Sequence, residues 1–184
     1  MWERRKLLGR DFARSWSHRH SSGGGGHPRP RVLIEEPDVA EAFAYSCLLE
    51  DNGYEVLWCP GPAGPPPRRC PLVACGQCDL VRCADVVISS LELDHESSRK
   101  VVSAHRYLHP ETPVVIQAPQ QVLAQWAPVF EGRWGAIRIP VTKRTLLDSV
   151  EFALAKSAAD AHEDEVGATY VAPMITERVR LSVG

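Results

Sequence analysis

The chain has 184 residues and six cysteines, four of them within "CPLVACGQCDLVRC", Cys70 to Cys83. Their spacing is C-x4-C-x2-C-x4-C, and Cys59 stands just upstream. Thiols at this density bind a soft metal, pair as disulfides, or pack as small apolar side chains. One zinc held by thiolates drawn from Cys59, Cys70, Cys75, Cys78 and Cys83 would tie distant points of the chain together and contribute folding energy. Only one C-x2-C knuckle, Cys75 to Cys78, is present where structural zinc sites commonly use two. The segment also opens like the plant-type iron–sulfur spacing but lacks its distal cysteine, so a cluster is discounted. "CPLVACGQC" and "CDLVRC" look like two imperfect copies of C-x-L-V-x-C. Leu72-Val73 and Leu80-Val81 then read as apolar plugs between packing cysteines. A zinc site, a disulfide or reversible thiol pair, and reduced packing cysteines all remain open on spacing alone. Cys47 lies apart and reads as a core residue.

Other chemistry is sparse. His95, His105 and His109 flank one helical stretch, but no nucleophile–histidine–acid arrangement can be read from spacing, and each is expected in solvent. "SSGGGGHPRP" precedes the first strand, whereas a dinucleotide-binding loop follows it. A net charge of -2 offers no basic surface for nucleic acid. No apolar run is long enough for a membrane span. The basic N-terminus lacks the apolar core of a secretory signal. A cytoplasmic protein is expected, with no nucleic acid or membrane contact, and there thiols are usually reduced or metal-bound.

The elements that must position these groups follow from periodicity. "RVLIEE", "YEVLWC", "ADVVISSL", "TPVVIQA" and "WGAIRI" are short apolar runs and read as buried strands. Between them lie helical patterns. "PDVAEAFAYSCLLEDNG" starts at Asp38 as N-cap, with Glu41 completing a capping box, and stops at Asn52-Gly53. "ESSRKVVSAHRYLH" ends before Pro110. "QQVLAQWAPVFEG" bends near Pro128. "VTKRTLLDSVEFALAKSA" is capped by Thr142. Continuous apolar strands alternating with amphipathic helices predict a doubly wound, five-stranded parallel sheet of the flavodoxin-like kind. Its functional crevice lies at the carboxyl ends of the strands. Residues 59–84 hold five prolines in ten residues and then the cysteines, so a Cys/Pro-rich loop is expected where a second helix would stand. Residues 1–30 read as a basic, Gly-rich tail and 158–184 as a mobile tail, leaving 31–157 as the domain.

Residues 31–157 resemble a CheY-like receiver domain of response regulators. "RVLIEEPDVAEAF" looks like its first strand, acidic pair and first helix. "ADVVISSLEL" looks like its third strand, "HPETPVVIQA" like the lead into its fourth, and "WGAIRIPVTKRTLLDSVEFAL" like its fifth strand, a proline and last helix. The resemblance implies five groups for phosphoryl transfer: two acids holding Mg²⁺, an acceptor aspartate, a Thr or Ser, and a Lys. Glu35 and Glu36 match the acidic pair and form a weak candidate for a divalent ion; a solvated pair is the plainer reading. Ser90 occupies the acceptor position, with Glu92 and Asp94 beyond the strand end. Gln117-Ala118 replaces the Thr or Ser, Ile139 replaces the Lys, and Lys143 comes one turn late.

The resemblance thus implies a degenerate, non-catalytic receiver-like module in two-component-type signal transduction, acting by protein contact. No enzyme is expected, and a protein partner or homodimer is. By the same resemblance Trp126, Trp134 and Arg138 are candidates for the partner face, though either tryptophan reads equally as core. The alternative is a thiol- or zinc-responsive sensor working through residues 59–84.

Overall fold

The computed structural model describes residues 29–64, 69–129 and 134–171, with side chains described to Asp160. The apolar runs form β1 (Arg31–Glu35), β2 (Glu55–Cys59), β3 (Val86–Ser89), β4 (Val114–Ala118) and β5 (Trp134–Arg138). They make one sheet in the order β2-β1-β3-β4-β5, with every pairing parallel. β1, β3 and β4 are buried on both faces apart from Arg31, as continuous apolar strands require. The doubly wound, flavodoxin-like architecture expected from the sequence is the one observed.

Helices cover both faces. α1 (Val39–Asp51) and the final helix α6 (Lys143–Val171) lie over one face, burying Leu49, Leu146 and Val150 against Val32, Ile34, Val86 and Ile88. Asp38 caps α1, accepting from the Ala40 and Glu41 amides at 2.7 and 3.1 Å. The expected capping box is not closed by Glu41: the Asp38 amide donates instead to Glu36 Oε1, at 2.8 Å. Thr142 caps α6 as expected, accepting from the Thr145 amide at 3.2 Å. α6 continues past the expected end of the domain at residue 157 to Val171. The remaining tail calls, residues 1–28 and 172–184, lie outside the described residues.

The other face carries the crossover, α4 (Glu96–Leu108) and α5 (Gln120–Trp126), which ends in a 3-10 turn at Ala127–Val129 where Pro128 removes an amide donor. The crossover is not a plain loop. Two short helices, α2 (Pro71–Cys75) and α3 (Asp79–Arg82), stand in place of one long helix. Pro71 opens α2, and Gly76 closes it at φ 72°, a left-handed conformation that favours glycine. Each short helix inserts one apolar side chain, Leu72 or Val81, into the core formed by Leu33, Val87, Val101 and Ile116. Full burial of each contributes about 1.5–3 kcal/mol. Of the two sequence plugs only these members are deeply inserted: Val73 is exposed and Leu80 half-buried.

Cys47, expected in the core, is exposed. The buried stripe of α1 is Ala42, Ser46 and Leu49, which turns Val39, Phe43 and Cys47 outward. The apolar pattern of that helix was too evenly spread around its circumference to fix the face.

Candidate functional site

Parallel register brings the carboxyl ends of four strands together. Glu35 pairs with Ser89, Ser89 with Ile116, and Ala118 with Arg138. The next residues out, Glu36, Ser90 and Ile139, together with Gln117, therefore line one cavity of about 420 Å³ beside the start of α1. Asp38, Glu41, Glu92 and Asp94 line it as well.

Glu35 and Glu36 diverge. Successive side chains of a strand leave opposite faces, and Glu35 follows Leu33 to the crossover side. There its Oε1 lies 2.9 Å from His105 Nε2. His105 is fully buried and Glu35 is 4% exposed. The expectation of a solvated acid pair is therefore wrong for both, as is that of a solvated His105. The α4 positions Ser98, Val101, Val102 and His105 are buried at helical spacing, and Val101 and Val102 share the core cluster of Leu33. That spacing was the available sequence signal for His105. His95 does remain on the surface, beside Glu92 at 2.8 Å.

Glu36 serves the cavity. Its carboxylate accepts the Asp38 amide, its own amide donates to the Cys59 carbonyl at 3.0 Å, and its carbonyl accepts the Trp58 indole N–H at 2.9 Å. Burial pushes its pKa above the ordinary carboxyl value, opposed by hydrogen bonds from the Asp38 backbone and the Ser90 hydroxyl. The Ser90 hydroxyl also lies 2.9 Å from Gln117 Oε1. Ile139 hangs at the rim, 42% exposed, its amide bonded to the Ala118 carbonyl at 3.2 Å. Lys143 opens α6, outside the cavity lining.

The five crossover cysteines do not form one metal site. Cys75 and Cys83 are exposed, while Cys59, Cys70 and Cys78 pack half-buried against the crossover-side core. Among the described residues no three His, Cys, Asp or Glu side chains are grouped so as to hold a metal ion. That disagrees with the zinc set and with Glu35 and Glu36 as divalent-ion ligands. The short helices leave Cys75 and Cys83 exposed while Cys59, Cys70 and Cys78 pack against the core. Burial, and then the Glu35 charge, push the Cys59 thiol up to about 12. Burial raises Cys70 as well.

Trp126 and Trp134 also pack against the crossover-side core, half-buried at the β4–β5 end of the sheet. Arg138 is exposed on β5.

No family model and no curated protein matches the chain. Solved structures do. A CheY-like response regulator receiver domain protein from Methanospirillum hungatei JF-1 matches with a TM-score of 0.54 at 18% identity, covering 72% of this chain and 99% of that one. A receiver domain protein from Clostridium thermocellum gives 0.55 at 19%, covering 71% and 98%. A receiver protein from Sinorhizobium medicae gives 0.54 at 17%, covering 70% and 97%. The fold is that of a receiver domain. The receiver likeness is one of architecture at these identities, and the cavity at its strand ends is lined by this chain's own set of side chains. Among the described residues no helix of this receiver fold is long and apolar enough to cross a membrane.

Proposed function

We propose that this chain is a receiver-like signalling module that is not phosphorylated in the usual way and acts in the cytoplasm by contact with a partner protein. One observation carries this reading: the hydroxyl of Ser90, at the expected acceptor position, is held 2.9 Å from the Gln117 amide. A phosphoryl group needs a carboxylate there, with a metal and a cation to neutralise its charge. Ile139 supplies no charge, and Glu35 is engaged with His105. Glu92 and Asp94 are exposed beyond the strand end. The chain is accordingly read as non-catalytic. The test is incubation with acetyl phosphate and Mg²⁺ followed by intact mass. An unchanged mass is expected, and a gained phosphoryl group overturns the reading.

A second reading, response to thiol chemistry, is favoured by Cys59, Cys70 and Cys78 packing half-buried against one and the same core cluster. Under mild peroxide the free-thiol count should then fall reversibly by pairs. Six persistent thiols would sink it. The half-buried Trp126 and Trp134, with exposed Arg138, are proposed as the edge of a partner face.

A further inference from the structure

The outward face of α1 is apolar. Val39, Ala40, Phe43, Ala44 and Cys47 are all exposed. At 100° per residue they fall within an arc of about 140°, turned away from Ala42, Ser46 and Leu49, which pack on the sheet. Val39 is 40% exposed and Phe43 51%. A helix that covers a sheet ordinarily turns polar side chains to solvent, and a contiguous apolar patch left exposed marks a contact surface.

The charges around the patch define what would cover it. α1 carries Glu41, Glu50 and Asp51 and no basic residue. Glu50 and Asp51 stand in its last turn, where the negative end of the helix dipole already favours a cation. Two copies of this face packed on each other would set acid against acid in either direction, with no base on the helix to offset them. The fitting occupant is apolar and basic.

The chain carries such a segment outside its described residues. "RRKLLGRDFARSW", residues 4–16, places Leu8, Phe12 and Trp16 at intervals of four, the spacing of one helix face. Residues 1–20 hold six Lys or Arg against two acids. The connection fits as well. The Pro30 carbonyl accepts the Glu55 amide at 2.9 Å, just past the turn that ends α1. Residues 17–28 reach at most about 40 Å, and α1 with its 13 residues is about 20 Å long. A tether of that reach gives an effective concentration on the order of millimolar, so a weak contact suffices.

We propose that residues 4–16 dock on this chain's own α1, laying Leu8, Phe12 and Trp16 against Val39, Phe43 and Cys47, with the basic side chains beside Glu41, Glu50 and Asp51. The segment is then a built-in cover, which any other protein must displace to use this face. The strand-end cavity takes no part, so this contact stands or falls apart from phosphorylation.

The test reads Cys47 in the full chain. Iodoacetamide should label Cys47 about fivefold more slowly in the parent than in Leu8→Asp/Phe12→Asp/Trp16→Asp, with Cys83 unaffected and Cys59 still slowest. Glu41→Lys/Asp51→Lys, both at exposed positions, made in each of these two backgrounds, should bring that ratio toward one. A peptide of residues 1–20 added to the ¹⁵N-labelled triple variant should give saturable NMR shifts at Val39, Phe43 and Cys47. Equal Cys47 rates, a ratio untouched by the charge reversal, or no saturable shift would each overturn the proposal. A ratio that grows with protein concentration would overturn it too, giving the face to a second copy.

Discussion

His105 Nε2 lies 2.9 Å from Glu35 Oε1, joining α4 to the end of β1 beneath the crossover. His105 Nδ1 and Glu35 Oε2 have no further partner. A buried pair with unmet atoms is sensitive to the loss of either member, since the survivor keeps its desolvation cost. His105→Ala should therefore lower the unfolding free energy by about 3–5 kcal/mol. The double change Glu35→Leu/His105→Leu should cost less than the single one. Urea unfolding of the three proteins checks the order.

Replacing the acceptor alone should not restore phosphorylation. Ser90→Asp brings a carboxylate next to Glu36 without a neutralising lysine, so its mass should stay unchanged in acetyl phosphate and Mg²⁺. Ser90→Asp/Gln117→Thr/Ile139→Lys supplies the acceptor, the hydroxyl and the cation, leaving Glu36 and the new carboxylate to hold Mg²⁺ while Glu35 stays with His105, and any uptake is expected only there. Uptake by the single variant would show that the lysine position is dispensable.

Glu36 predicts a pH dependence. Its folded pKa is raised above 4.5, chiefly by burial, so the native state holds that proton more tightly than the unfolded chain. The associated stability is fully present below that ordinary value and is lost as pH rises through the raised one. Glu36→Gln stays neutral throughout and can still accept the Asp38 amide. Its urea midpoint should gain on that of the parent between about pH 4 and pH 7. Parallel midpoints across this range would contradict the assignment.

The cysteines should differ in rate. Cys47, Cys75 and Cys83 are exposed, whereas burial holds Cys59 at a pKa of about 12. Thiolate is the reactive form, so iodoacetamide at neutral pH should label the three exposed thiols first and Cys59 last. Peptide mapping over time reads the sequence of labelling. Early modification of Cys59 would mean that the crossover opens readily.

The strands were legible because each is an apolar run closed by polar or turn residues, and a parallel sheet buries such runs on both faces. Asp38 and Thr142 were legible as caps because capping is local chemistry. The crossover was only half legible. Its prolines and cysteines signal irregular backbone, but Leu72 and Val81 gain their burial from α4 and the sheet, which spacing in sequence does not reveal. The cavity shows the same division. Ser90, Gln117 and Ile139 could be placed at strand ends from order alone, whereas the divergence of Glu35 from Glu36 depends on strand pleat and on what α4 presents. His105 looked like a surface histidine because a lone imidazole carries no sign of its buried acid partner.

The last helix has a geometric consequence. α6 contains 29 residues, about 43 Å at 1.5 Å per residue, while a five-residue strand spans only about 17 Å. The helix therefore outruns the layer it covers, with its anchored start at the cavity end of β5 and its far end well beyond the strands. Its packed stretch ends near Leu154, so a bend of about 5° there would displace Val171 by roughly 2 Å. Events too small to alter the domain's packing would thus become a measurable movement at the far end of the helix.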